Sequence, residues 1–185
     1  MADPLALPHT DWLAHHLTIS GPADDVARFR RTAQGTNLAP WHLDLAHEEE
    51  RLFAPMAAGG RDARVLAQEL CEAIALRHAR VLEDWNGPGA CPLDLHRLIP
   101  IPAAILALGD ADPAALRWLW ASWGTTRPLR GAREVGGASD KRLRKAARMD
   151  LAFWSADWTP WSAFRRLRRD HPALVFDVRP DFGDG

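Results

Sequence analysis

Cysteine is scarce in this chain: Cys71 and Cys91 are the only two among 185 residues. An iron–sulfur cluster normally takes four thiolates, so a classical ferredoxin is excluded. So few cysteines read as a reduced intracellular protein. Long apolar runs are lacking too, and no stretch approaches membrane-spanning length. Residues 1–13 contain Asp3, Pro4, Pro8 and Asp11, and so have neither a basic start nor an apolar segment of leader length. The expected compartment is the cytoplasm, with no membrane partner. Lysine is nearly missing, with 2 against 21 arginines, so arginine-richness marks no particular segment.

Catalytic signatures are also wanting. There is no Gly-x-Ser-x-Gly elbow, and Gly131 to Gly137 matches neither Walker nor dinucleotide spacing. Ser155 and Ser162 lack any sequence sign of an activating base. Glu48-Glu49-Glu50 is a solvated run, because consecutive side chains diverge. Cys71, His78, Cys91 and His96 are zinc-ligand types, but their spacing fits no usual pattern, and a free cysteine in an apolar stripe packs as a small hydrophobe. His42 and His47 would lie on opposite faces of a strand. Neither a metal nor a cofactor is expected.

What the chain does have is one pattern at both ends: an alternating strand, a turn and an amphipathic helix. His16 to Ser20 alternates, and Gly21-Pro22 leads into a helix with Asp24 and Asp25 at its positive end and Val26, Phe29 and Ala33 on one face. Trp41 to Leu45 alternates and reads as a second strand. Residues 48–147 interrupt the pattern. Within them Arg61 to Leu82 reads as a long helix with an apolar stripe of Leu66, Leu70, Ile74 and Val81. Asn86-Gly87-Pro88-Gly89 breaks the chain, and Leu95 to Ile101 reads as an edge strand or strand end. Asp112-Pro113 starts a helix striped by Leu116, Leu119, Trp120 and Trp123 and closed by Gly124. Gly131 to Arg148 is a glycine- and charge-rich hairpin or loop. Leu151 to Ser155 alternates again. Trp161, Phe164 and Leu167 stripe a helix, with Trp158 and Trp161 bracketing its start as a packing staple, and Leu174, Phe176 and Val178 alternate to the end. The expected fold is α+β: a βαββαβ sandwich forming one domain over 1–185, with a mainly helical insertion over 48–147.

Several segments resemble YubB-type ferredoxin-like domain proteins, in family order. They are Asp11-Trp12 with His16 to Pro22, Leu98-Ile99-Pro100-Ile101-Pro102, Ser122-Trp123-Gly124-Thr125, and Phe153 to Pro160 followed by His171 to Phe176. Leu13, His15 and Arg127 depart from the family pattern, and Asp181 and Gly183 only loosely echo its end. The resemblance implies a divergent member, a ferredoxin-like topology and an origin in bacterial, often plasmid- or phage-borne, genes. It implies no established activity.

Such a sheet packs helices on one face. With Leu17, Ile19, Leu43, Leu45, Phe153, Phe176 and Val178 on that face, the other carries His16, Thr18, His42, Asp44, Trp154, Asp177 and Arg179. His16, His42, Asp44, Trp154, Asp177 and Arg179 are the candidate ligand-binding residues. In the simplest arrangement residues 48–147, or a second subunit, cover this face and make Trp154 ordinary core. The expected function is a noncatalytic ligand- or partner-binding module, its partner a protein or a second copy on the sheet face. Two alternatives stay open. One is nucleic-acid binding: residues 127–185 carry 13 basic against 8 acidic side chains, while residues 1–126 carry 10 against 16. The other is acid–base catalysis by His16, His42 and Asp44.

Overall fold

Leu17 and Ile19 are buried, and the residues between and beside them, His16, Thr18 and Ser20, are less so. This period-two alternation makes Trp12–Pro22 a half-buried strand, β1. The computed structural model of the protein describes residues 10–85, 89–136 and 146–181. In chain order β1 is followed by α1 (Ala23–Ala33), α2 (Leu45–Phe53), a 3₁₀ segment (Ala54–Gly59), α3 (Gly60–Trp85), α4 (Leu95–Leu98), α5 (Ala103–Leu106), α6 (Pro113–Ser122), β2 (Arg130–Glu134), β3 (Ala146–Ala156), α7 (Trp161–Asp170) and β4 (Val175–Asp181).

The strands form one sheet in the order β2-β3-β1-β4, every adjacent pair antiparallel. Across β1, Leu17 stands opposite Leu151 on one side and Val178 on the other; Ile19 stands opposite Met149 and Phe176. These side chains meet Val26, Phe29 and Ala33 of α1 and Ala163, Phe164 and Leu167 of α7 in one buried cluster. Residues of the long connection between α1 and β2 belong to the same cluster: Leu93, Leu95, Ile99, Ile101, Leu119, Trp123 and Leu129. The 93–129 part of the connection therefore packs on the side that α1 and α7 already occupy.

Four expectations need correction. Trp41 to Leu45 is not a strand: the Asp44 carboxylate accepts the backbone N–H of His47 at 3.0 Å and caps α2, which begins at Leu45. Leu95 to Ile101 is a short helix, because Asp94 caps it by accepting from His96 and Arg97 N–H, and His96 Nδ1 then accepts from Ile101 N–H. The sheet's remaining strand is β2, inside the range read as helical insertion. In α3 the buried residues are Ala63, Ala67 and Cys71, while Leu66 and Leu70 are exposed. The small side chains let α2 come close, and Cys71 Sγ donates to Leu45 O at 3.3 Å.

Other starts and stops follow the sequence. Asp112 accepts from Ala114 N–H at 2.7 Å to cap α6, and Gly124, at φ +79°, closes it. β2 and β3 pair as the arms of a hairpin. Residues 137–145 of that loop, 86–88 of the expected break, and Gly183 lie outside the described residues. Trp158 and Trp161 are both exposed and staple nothing, whereas Trp123 is fully buried and donates its indole N–H to Ile99 O at 3.0 Å.

Two buried histidines tune the stability of this core. His15 stacks on Phe153 with ring centroids 4.9 Å apart, and its Nε2 lies 2.9 Å from the Thr159 hydroxyl. Burial holds its imidazole below the ordinary pKa, against a hydrogen bond to the Leu13 backbone carbonyl that raises it; burial does the same at His96, against the nearby Asp94 charge. Both are kept neutral in the fold and take up protons on unfolding. Their contribution is complete above the ordinary value of 6.5 and is lost as pH falls from there toward the lowered folded values. Urea denaturation at about pH 7.5 and about pH 5 should show lower stability at the acid value, with a smaller drop in His15→Asn/His96→Asn. An equal drop in both proteins would contradict this.

Candidate sheet-face binding site

The residues that alternate away from the core meet on the other face of the sheet. Register places them in rows. Arg130, Trp154, Ala14 and Asp181 lie side by side across the four strands; Arg133, Ala152, His16 and Arg179 form the next row; Asp150, Thr18 and Asp177 the third. Arg130 and Arg133 are an odd number of residues apart and would face opposite ways in a regular strand. The register shifts between them, so three steps along β2 match two along β3 and both arginines reach the same face. Gly131, at φ +60°, occupies that irregularity, in a conformation L side chains rarely adopt.

One end of the face is aromatic. Trp154 is 43 % exposed, and the Arg130 guanidinium lies over the Trp12 ring at 3.9 Å from its centroid. The other end is an ion-pair lattice. Arg148 Nε donates to both Asp150 oxygens at 2.8 and 2.7 Å, and the Thr18 hydroxyl donates to Asp150 at 2.6 Å. Arg179 Nε and Nη2 donate to one Asp177 oxygen at 3.0 and 2.6 Å. The Arg148 hydrogen bonds hold the Asp150 carboxyl below the usual range against its partial burial, and Arg179 does the same for Asp177. Both carboxylates thus stay charged at neutral pH. At the ion-pair end, a shallow depression of about 660 Å³ is lined by His16, Thr18, Arg148, Asp150, Asp177 and Arg179.

Of the six candidate residues, the fold brings His16, Trp154, Asp177 and Arg179 together here. His42 and Asp44 are elsewhere: His42 N–H donates to Leu106 O in the loop before α2, and Asp44 is that helix's cap. The acid–base set of His16, His42 and Asp44 is therefore not assembled. The expectation that residues 48–147 bury Trp154 also fails, because the connecting helices share the α1–α7 side. Trp12, Arg148 and Asp150 were readable as members of this face, being even-numbered steps from His16 and Trp154. Arg130 and Arg133 were not, since their placement needs the bulge.

The cysteines and histidines considered for zinc have separate roles: Cys91 Sγ donates to Leu93 O, and His96 accepts from Ile101 N–H. Among the described residues no three His, Cys, Asp or Glu side chains converge as a metal site, and no helix is long and apolar enough to cross a membrane. The basic surplus of the C-terminal third is split between two surfaces. Arg166 and Arg169 of α7 pair with Asp170, and Arg168 donates to Phe176 O at 2.6 Å, on the side away from Arg130, Arg133 and Arg148. No protein-family model, curated protein or solved structure matches the chain.

Phe153 and Trp154 are adjacent in sequence and opposite in role. Phe153→Ala should cost about 3–5 kcal/mol by opening a cavity in the core, while Trp154→Ala should cost less than about 1 kcal/mol. Denaturant titration of both variants measures this, and comparable losses would mean that Trp154 is a packing residue.

Proposed function

We propose that this chain is a noncatalytic binding module with a ferredoxin-like topology, a divergent relative of the YubB-type proteins, and that it engages its ligand or partner through the helix-free sheet face. Three features support the topology and kinship. Around the sheet the elements run β1-α1, β2-β3, α7-β4, with strand order β4-β1-β3-β2, an order that agrees with the split βαβ plan. The segments that carry the resemblance also pack together: Trp123 bonds Ile99 O, and the Thr125 hydroxyl both donates to Ala156 O at 2.9 Å and accepts from Ala156 N–H at 3.1 Å. Finally, Ala163 N–H, in the helix that joins the two parts of the closing segment, donates to Trp123 O.

The observation that carries the binding role is the exposed indole of Trp154 on a face no described helix covers, with paired charges two rows along the same face. Ligand sites combine apolar surface with a few oriented polar groups in this manner. A benzophenone amino acid placed at position 154 should give a crosslinked adduct in bacterial cells expressing the chain. The same group at Arg28, exposed on α1, should not. Equal labelling at both positions, or none at 154, would remove the assignment.

One observation favours a particular ligand class as a second reading. Trp12, stacked by Arg130, and Trp154, paired with Arg130 across the strands, offer two aromatic platforms with Arg133 in the next row, the combination of rings and arginine that holds unstacked bases. A fluorescent single-stranded oligonucleotide should then bind at low salt, about tenfold more weakly to Trp154→Ala. Absence of binding at low salt retires nucleic acid and leaves the sheet-face role to other ligands.

A further inference from the structure

Helix α3 carries a second surface, unrelated to the sheet face. It runs 26 residues, and its buried side, Ala63, Ala67 and Cys71, faces α2. Away from it, among the exposed charges of Asp62, Glu69, Glu72 and Arg80, the side chains of Val65, Leu66, Leu70 and Leu76 are between 41 % and 60 % exposed. Four large apolar side chains on one helix, uncovered by any described residue, mark an interface.

The order of residues along the exposed side identifies the occupant. Asp62, Leu66, Glu69, Ala73, Leu76 and Arg80 are all exposed and follow one another at steps of four and three. That is the 3.5-residue spacing of a two-helix coil, with Leu66, Ala73 and Leu76 as its apolar members and charges at the other three positions. The seam is acidic in its first half and basic in its second, with Asp62 and Glu69 before Ala73, and Arg80 beyond it flanked by Arg77. Reversing the helix about a twofold axis midway between Glu69 and Ala73 sets Asp62 against Arg80, Leu66 against Leu76 and Glu69 against Ala73, with Arg77 one turn along. The seam leucines then meet one another and each seam charge finds an opposite or a small neighbour, while Val65 and Leu70 lie outside the seam. A parallel alignment would put every charge against its like.

We propose that α3 is the interface of an antiparallel, twofold-symmetric homodimer, with the Leu66–Leu76 contacts at its core and the Asp62–Arg80 pairs at its ends. The pairing is isologous: each contact occurs twice, related by the axis.

Sedimentation of the full chain at about 100 μM should show a dimer, and Leu66→Glu/Leu76→Glu, changed only at exposed positions, a monomer with unaltered circular dichroism. Asp62→Arg and Arg80→Asp should each weaken self-association by about tenfold, since both end pairs become repulsive. Mixed one to one, these two variants should form a heterodimer as tight as the unaltered protein, because every end pair is then opposite in sign. A monomer for the unaltered chain overturns the proposal. So does a dimer that survives Leu66→Glu/Leu76→Glu, or one lost instead on Trp154→Arg. Failure of the mixed variants to associate overturns the antiparallel arrangement.

Discussion

Strand β1 is hydrogen-bonded along both edges, to β3 from Trp12 to Pro22 and to β4 from Ala14 to Ser20. Everything else is arranged around that double pairing. The partners are more than 120 residues away along the chain, so the sheet's centre forms only when both ends of the sequence arrive together. That ordering cost is met by burial of Leu17 and Ile19 beneath α1 and α7, where Phe29, Phe153, Phe164 and Phe176 are among the largest fully buried side chains. The long connection from α1 to β2 then has one apolar surface to join, and it joins the side already occupied by helices.

From this placement the sheet's two faces acquire different work. Strict alternation sends Leu17, Leu151 and Val178 inward and His16, Ala152 and Arg179 outward at the same register positions. Because the connection adds its helices to the inner side, Trp154 stays in contact with solvent. The irregularity at Gly131 adds Arg130 and Arg133 to the same outer surface. The charges there are ordered by pairing, Asp150 by Arg148 and Thr18, and Asp177 by Arg179, so the surface presents fixed hydrogen-bonding groups.

The parts of this arrangement legible in the sequence are those dictated by local rules. Alternation located β1, β3 and β4; Asp112-Pro113 and Gly124 bounded α6; Val26, Phe29 and Ala33 gave the buried side of α1. Trp41 to Leu45 misled because five alternating residues suit a loop as well as a strand, and Asp44 serves a helix as a cap. β2, Arg-Gly-Ala-Arg-Glu, has no apolar alternation to reveal it, since it is an edge strand held by its neighbour. In α3, leucines drew the eye to the wrong side; close approach of α2 selects small residues, and only packing shows that. His42 and Asp44 left the candidate site with the strand that was to carry them.

The most direct measurement of the central pairing is a set of interstrand Hα–Hα nuclear Overhauser contacts in solution. The account predicts them at alternate positions of β1 toward both β3 and β4, on either side of His16 and Thr18. Contacts to only one of these strands, or to the segment around Trp41, would contradict the architecture and the outer surface built on it.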